Sequence, residues 1–354
     1  MTTKMLLRVF RKYPLRRNYT KRVVYVSEIN DPATNCCIEK YLAETVEADN
    51  GILLLWRNDK SVFIGRNQNP FRECNLKNMA EDDVTLIRRQ SGGGAVYHDL
   101  GNTNFSFMSK LYTTESNYET IIKALDRLNI EARVSGRNDI VIGNKKISGS
   151  AYSNNGKIFI HHGTMLVDLN MELISKYLTP NKKKLESKSV DSVQSRVTNL
   201  KNYNVDITHN NLMDAIINEI ATKEDVQIRT LNDSTMKEWM ISNSIFSEWY
   251  KKYTDWNWNY GNTNAFDFNV EKYFKWGMIN VSIKCENGMI ADINIESDSL
   301  YPEMIDILMK NYKSQQFTSV GLIKAHELSI IDAAKSNVYV NAMEEFSEWL
   351  SSTL

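Results

Sequence analysis

Arg88-Arg89-Gln90-Ser91-Gly92-Gly93-Gly94-Ala95-Val96-Tyr97-His98-Asp99 carries more information than any other stretch of this chain. Three consecutive glycines follow two arginines and run into Ala95, Val96 and Tyr97. Glycine removes the Cβ, so backbone N–H groups can approach a ligand closely. Arginine offers a planar, permanently charged fork for a phosphate or carboxylate. The same run would serve equally as a glycine-rich turn between strands with both arginines solvated. A glycine run alone does not choose between the two readings. The choice rests on residues downstream, around Lys146.

The chain has 354 residues, long enough for two domains. Its 42% hydrophobic and 24% charged residues are the balance of a soluble globular protein. The 43 basic and 43 acidic side chains cancel, which gives no whole-chain electrostatic case for nucleic acid or an anionic membrane. No apolar run approaches the ~20 residues that span a bilayer. Cys36, Cys37, Cys74 and Cys285 form no C-x-x-C pair, which argues against a disulfide framework. The histidines show no H-E-x-x-H spacing, so a structural zinc has little support.

The charge balance hides an asymmetry. Met1 to Ser27 contains no acid, while Lys4, Arg8, Arg11, Lys12, Arg16, Arg17, Lys21 and Arg22 are interleaved with apolar residues. This is the pattern of a mitochondrial targeting segment over residues 1–26, and a mitochondrial location is expected, otherwise a cytoplasmic one. A basic arm touching nucleic acid or lipid is the rival reading.

Working outward, Ile52–Trp56 and Ser61–Ile64 read as buried strands. Asn104-Phe105-Ser106-Phe107 alternates as a half-buried strand does. Ser116-x-x-Glu119 is a capping box opening a helix with Ile121, Ile122, Leu125 and Leu128 on one face. Asp139–Ile142, a Gly143-Asn144 turn, Lys145–Ser148, an Asn155-Gly156 turn, Lys157–Ile160 and Thr164–Val167 read as antiparallel strands joined by hairpins. A helix is expected near Asn211 to Ala221. Ile279-x-Val281-x-Ile283-x-Cys285, Asn287-Gly288 and Ala291-x-Ile293-x-Ile295 form a second hairpin signal. A last helix over Ala342–Leu350 turns Phe346, Trp349 and Leu350 inward. Pro180 to Arg196 is a lysine-dense polar loop, of the kind that is a lid, disordered or simply solvated. Hairpins with separate helices imply an α+β fold with mixed, largely antiparallel sheets flanked by helices. The expected division is a catalytic domain over 27–250, a linker over 251–261 and a small α+β accessory domain over 262–354.

Lys146 sits in Gly143-Asn144-Lys145-Lys146-Ile147-Ser148-Gly149-Ser150-Ala151. Strand alternation places Lys145 and Lys146 on opposite faces, with Ser148 beside Lys146. Gly149 and its small neighbours leave room for a ligand. A lysine so placed can neutralise an α-phosphate and a carboxylate while they react, although the pair would also suit an exposed hairpin. Asn138 and Asp139 suit adenine or a metal ion, or merely a strand-initiating turn. His162 suits a phosphate contact or weak base, or a hydrogen-bonded strand position.

Taken together these pieces resemble the motifs of lipoate–protein ligases. The resemblance covers Gly65 to Pro70, Glu73-Cys74-Asn75, Arg88 to Asp99, Gly101-Asn102-Thr103 and Gly136 to Asp139. It continues through Lys146 to Ala151, His161 to Thr164, Lys182 to Leu185, Ser192 to Leu200 and Trp256 to Gly261. It runs in order from about Ile52 to the C-terminus, and many motifs in one order are far more specific than one glycine run. The resemblance implies a biotin/lipoate ligase-like catalytic domain that uses ATP and lipoate to form lipoyl-AMP. The lipoyl group would then pass to a lysine of carrier domains, those of 2-oxoacid dehydrogenase complexes and the glycine cleavage H protein.

Lys146 is then the catalytic lysine, shared by both substrates. Arg89, Gly94, Ala95, Val96, Tyr97 and Asp139 would serve ATP and the adenylate. Gly92, Gly93, His98 and His162 would serve lipoate, and Mg²⁺ would offset repulsion between the anions, with its ligands unassigned. The lysine-dense loop would close over the adenylate. Two other readings remain: a lipoyltransferase that takes only preformed lipoyl-AMP, and a non-catalytic carrier-binding protein of the same fold. Biotin ligases are disfavoured by the lack of a Gly-Arg-Gly-Arg-x-Gly-Arg signature. Cysteine-dependent octanoyltransferases are disfavoured because Cys74, in Glu73-Cys74-Asn75, matches the ligases.

Overall fold

A computed structural model describes residues 21–45, 51–111, 114–154, 156–178, 197–260, 268–286, 289–317, 319–333 and 339–353. The basic residues 1–20, the lysine-dense loop over 179–196 and the turn residues Asn155, Asn287 and Gly288 lie outside these.

Among the described residues the fold is α+β, built on three sheets. The largest has eight strands in the order β11-β1-β2-β6-β10-β9-β8-β7. These are β1 (Lys21–Ser27), β2 (Ile52–Trp56), β6 (Asn102–Ser109), β7 (Arg133–Ser135), β8 (Asp139–Ile142), β9 (Lys145–Asn154), β10 (Phe159–Leu166) and β11 (Asp225–Leu231). Strand β1 runs parallel to both its neighbours, and the remaining pairs are antiparallel. A second sheet joins β3 (Ser61–Ile64), β4 (Thr85–Arg88) and β5 (Val96–His98) in the order β4-β3-β5. The third is an antiparallel meander of β12 (Phe268–Phe274), β13 (Gly277–Glu286) and β14 (Met289–Ser297).

Residues 21–26 belong to the fold and not to a detached N-terminal segment. Val23-Val24-Tyr25-Val26 is a β-branched and aromatic run that suits a strand whatever its flanking charge. It pairs with Ile52–Leu55 on one side and Gln227–Thr230 on the other.

The large sheet is covered on both faces. Leu53 and Leu55 of β2 enter one core with Phe105 and Phe107 of β6. Ile52, Leu54 and Trp56 enter the opposite core with helix α1 (Pro32–Thr45). That first core is closed by α2 (Thr114–Arg127) and α3 (His209–Ala221). Helix α2 begins two residues before the expected cap at Ser116, and its Ile121 and Leu125 are buried as its periodicity requires. Strand β6 differs from the half-buried expectation, because all but its last residue are buried. Its polar positions Asn104 and Ser106 face the interior of a site instead of solvent.

Residues 251–260 are helical: α4 (Ser244–Thr254) is followed at once by α5 (Trp256–Tyr260). Helix α5 is fastened to Arg88. The Asn259 side chain accepts from the Arg88 backbone N–H, and Trp258 Nε1 donates to the Arg88 carbonyl. The C-terminal region has its own core, in which Ile279, Val281 and Ile283 pack under α6 (Pro302–Tyr312), α7 (Ser319–Ala333) and α8 (Val340–Ser352). Phe346, Trp349 and Leu350 point inward. Among the described residues no helix is long and apolar enough to cross a membrane.

Candidate active site

Strands β4 and β5 carry the glycine run between them, and the arginines that precede it are turned inward. Arg89 Nη2 donates to the carbonyls of Gly92 and Gly94 at 2.7 and 2.8 Å. Its Nη1 donates to Phe63 O, and its Nε to Ser91 Oγ. Arg88 likewise donates to the carbonyls of Arg66, Gln68, Trp258 and Asn259. Burial pulls both guanidinium groups down to about 10. Neither presents the open fork that the sequence suggested. They fix the shape of the loop, and Arg89 reaches the cavity only as part of its wall. Gly93 needs its glycine, with φ at +92° and Arg89 Nη2 only 2.9 Å from the point a Cβ would occupy.

A cavity of about 160 Å³ lies beside this loop, with Gly93, Gly94, Ala95 and Val96 in its lining. Lys146 also lines it, and its Nζ is 2.7 Å from Asp139 Oδ1. A bulge puts it there. Val141 pairs with Lys146 but Ile140 pairs with Ser148, so β9 has one residue more than β8. The extra residue breaks the alternation expected from sequence. Ser148 is wholly buried away from the cavity, and Gly149 lies under the Lys146 side chain.

A hydrogen-bonded chain across three elements also lines the cavity through Glu39 and His162. Glu39 of α1 accepts from His162 Nδ1 at 2.8 Å and from Ser106 Oγ at 2.6 Å. His162 Nε2 is 2.6 Å from Ser91 Oγ, which in turn accepts from Arg89 Nε. With Glu39 ionised, this network assigns the proton to Nδ1 of His162 and lets Ser91 donate to Nε2. Burial alone would raise the Glu39 carboxyl. The neighbouring His162 and the hydrogen bonds from His162 and Ser106 outweigh it and hold Glu39 below its ordinary value.

His98 stacks on Phe63 with ring centroids 4.5 Å apart, and its Nδ1 is 3.1 Å from the Asn58 amide. Burial, with Arg89 and His162 nearby, pulls it down to about 3, so it is neutral. It lines the cavity, and its buried Nε2 has no hydrogen-bond partner among the described residues.

Of the residues expected at the site, Lys146, Arg89, Gly93, Gly94, Ala95, Val96, His98 and His162 line this one cavity. Asp139 holds Lys146 from behind. Gly92 is set back, where a Cβ would strike the Ser299 carbonyl. The Tyr97 side chain points away and packs on Tyr177. Sequence reasoning missed Glu39, Trp56, Asn104 and Tyr253, which also line the cavity, as do Cys36 and Phe63. The polar positions in the β6 alternation were a usable signal for Asn104. Glu39 gave none, because α1 is buried nearly all round and shows little amphipathic contrast.

Cys36, Cys37 and Cys74 are buried. Burial pushes Cys74 up to about 12 and Cys36 and Cys37 well above the ordinary thiol range. None of these three supplies the thiolate that an acyl-cysteine route requires. Among the described residues no group of three or more metal-binding side chains occurs.

Residues 31–221 match the family of lipoyl protein ligase A/B catalytic domains, and residues 263–350 match the C-terminal domain of bacterial lipoate protein ligases. Lipoate-protein ligase A of Psychrobacter cryohalolentis is 39% identical over 331 residues, covering 92% of this chain and 96% of that protein. Among solved structures, P. falciparum LipL1 in complex with lipoate has a TM-score of 0.82 at 33% identity, covering 94% of this chain and 99% of that one. A lipoate-protein ligase A bound with ATP gives 0.58 at 26% identity, covering 68% and 98%. A bipartite lipoate protein ligase from Thermoplasma acidophilum, described with its E2 lipoyl domain, gives 0.58 at 27%, covering 71% and 100%. Both parts of the chain and the cavity between the glycine loop and Lys146 are thus accounted for together: the chain belongs to the lipoate–protein ligase family.

Proposed function

We propose that this protein is an ATP-dependent lipoate–protein ligase, which activates lipoate as lipoyl-AMP and transfers the lipoyl group to a lysine of a carrier domain. One observation carries the reading. One cavity is lined by the cationic Lys146, by the hydrogen-bonded Glu39 and His162, and by the apolar Trp56, Phe63, Val96 and Ala151. Lys146 Nζ lies over Gly149, while His162 pairs with Ala151 two residues further along β9. A largely apolar lining with a few polar groups suits lipoate, an apolar chain with one carboxylate.

The arrangement supports the following steps. The lipoate carboxylate attacks the α-phosphorus of ATP, and pyrophosphate leaves. Both reactants are anions, and Lys146 Nζ sits where it offsets their charge as it concentrates in the transition state. Asp139 aims the lysine, and the backbone of Gly93 to Val96 closes the opposite wall. The acceptor amine then attacks the acyl carbonyl and AMP departs, so no nucleophile from the enzyme is needed. Asp139 is a single carboxylate beside the phosphate end. That donor set suits a Mg²⁺ carried in mainly on phosphate oxygens, where it would supply further charge neutralisation.

We extend the reading to a catalytic unit over 21–260, from β1 through α5, and an accessory unit over 262–354, and to carriers of the 2-oxoacid dehydrogenase and glycine cleavage type. The acid-free, arginine-rich residues 1–20 support delivery to mitochondria. The test is direct: the purified protein is mixed with lipoate, ATP, Mg²⁺ and a lipoyl carrier domain. An ATP-dependent gain of one lipoyl group on the carrier lysine is expected. Lipoylation from lipoyl-AMP but not from lipoate plus ATP would reduce the protein to a transferase.

A further inference from the structure

Helix α7 is apolar on two faces. Leu322, Ala325 and Ala333 enter the C-terminal core. Asp332 accepts from Lys310 Nζ and from the Asn311 amide of α6, which fixes the helix on that side. The outer face carries Val320, Ile323, Lys324, Glu327, Leu328 and Ile331, all of them exposed. Val320 and Ile331, at its two ends, are 74% and 67% exposed. A surface helix ordinarily turns one apolar stripe to the core and polar residues to water. Four large apolar side chains over about three turns of the outer face mark a contact surface. Neither of its two charges, Lys324 and Glu327, makes an ion pair among the described residues.

The order of these residues is symmetric about the level of Ala325 and His326. Val320 and Ile331 stand equally far from that level, as do Ile323 and Leu328, and Lys324 and Glu327. Each apolar position is therefore mirrored by an apolar one, and the cation by the anion. A two-fold axis demands this of a surface that meets its own copy, because each contact occurs twice with the partners exchanged.

We infer that the outer face of α7 packs antiparallel against the same face of a second copy of this chain, across a two-fold axis level with Ala325 and His326. Val320 then meets Ile331 of the second copy at both ends of the seam, with Ile323 and Leu328 along its flanks. Lys324 meets Glu327 of the second copy, twice, at the centre. A parallel pairing would set Lys324 against Lys324 and Glu327 against Glu327, so charge selects the antiparallel arrangement. One helix pair covers less than the roughly 1,600 Å² of a standard stable interface, so the dimer exchanges with single chains. Among the described residues that line the active-site cavity none belongs to α7, and the pairing stands independently of the ligase reading.

The test is sedimentation velocity of the full-length protein between about 1 and 200 µM, a range that covers weak association. The parent should pass from one chain to two as concentration rises. Lys324→Glu and Glu327→Lys each put like charges at the centre, and each should raise the dissociation constant at least tenfold, about 1.4 kcal/mol. The double exchange Lys324→Glu with Glu327→Lys should restore the parent value. Ile331→Asp should leave single chains throughout, with circular dichroism to show that helix content is kept. A parent that stays a single chain at the top of the range overturns the proposal. So does a parent-like dissociation constant in both single variants, or a double exchange that remains as weak as they are. A single-chain parent that floats with phosphatidylcholine–phosphatidylserine vesicles would give this face to lipid and overturn it as well.

Discussion

The ammonium of Lys146 lies 2.6 Å from the point that a Cβ on Gly149 would occupy, and its Cε lies at 2.8 Å. The lysine therefore lies across its own strand, in space that only a glycine leaves open. Gly149→Ala should displace this flexible tip at little cost to the fold. A displacement near 1 Å at a reacting centre can cost on the order of a hundredfold in rate. We expect lipoate-dependent pyrophosphate release to fall at least tenfold while the melting temperature stays within about 2 °C of the parent. A parent-like rate would show that the position of the lysine over Gly149 does not matter.

Glu39 is the acceptor that orients His162 in the cavity wall. Glu39→Gln keeps the shape but removes the charge. KM for lipoate should rise about tenfold, with a smaller change in kcat, because the loss is in binding and not at the reacting carboxylate. Steady-state kinetics with lipoate varied at saturating ATP reads this split. A fall in kcat alone would place Glu39 in the chemical step.

The two arginines before the glycines brace the loop through its carbonyls. Arg89→Lys leaves one ammonium where a fork met Gly92, Gly94 and Phe63 carbonyls. Buried carbonyls without donors cost about 1–3 kcal/mol each. Denaturant unfolding should show a loss of about 2–4 kcal/mol. Unchanged stability with lost ATP affinity would mean that Arg89 is a phosphate ligand after all.

Acid should weaken the protein through its neutral histidines. Burial holds His98 and His161 down to about 3, against an ordinary value of 6.5. Between those values the unfolded chain takes up protons that the folded chain refuses. Stability is thus complete above 6.5 and is lost as pH falls toward 3. The melting temperature should drop steadily from pH 7 to 4.5, and His161→Phe should make that drop shallower. A flat profile would contradict the burial of these rings.

Alkylation of accessible thiols should leave activity intact. Cys36, Cys37 and Cys74 are buried with raised pKa, and Cys285 lies in the C-terminal meander. Iodoacetamide treatment of the native protein, followed by the full lipoylation assay, checks this. Inactivation coupled to labelling of Cys74 would reopen an acyl-cysteine route.

Much of the site was legible because its motifs are local. The glycine run, Lys146 and His162 each sit in short segments whose residue types limit what they can do. The hairpin of β13 and β14 was legible for the same reason, since Ile279, Val281 and Ile283 alternate. What escaped was set by tertiary contact. The inward turn of Arg88 and Arg89 depends on carbonyls from Phe63, Gln68 and Asn259. The bulge that moves Ser148 off the lysine face inserts one residue that no propensity announces. Glu39 became visible only when α1 was packed against β6 and β10.

The central claim is that Lys146 compensates charge between carboxylate and α-phosphate. Its most direct test is pyrophosphate release from ATP in the presence of lipoate, by the parent and by Lys146→Ala, with circular dichroism to confirm that both are folded. The account predicts lipoate-dependent release by the parent and a loss of at least a thousandfold in the variant, about 4 kcal/mol. A folded Lys146→Ala that releases pyrophosphate at the parent rate would contradict it.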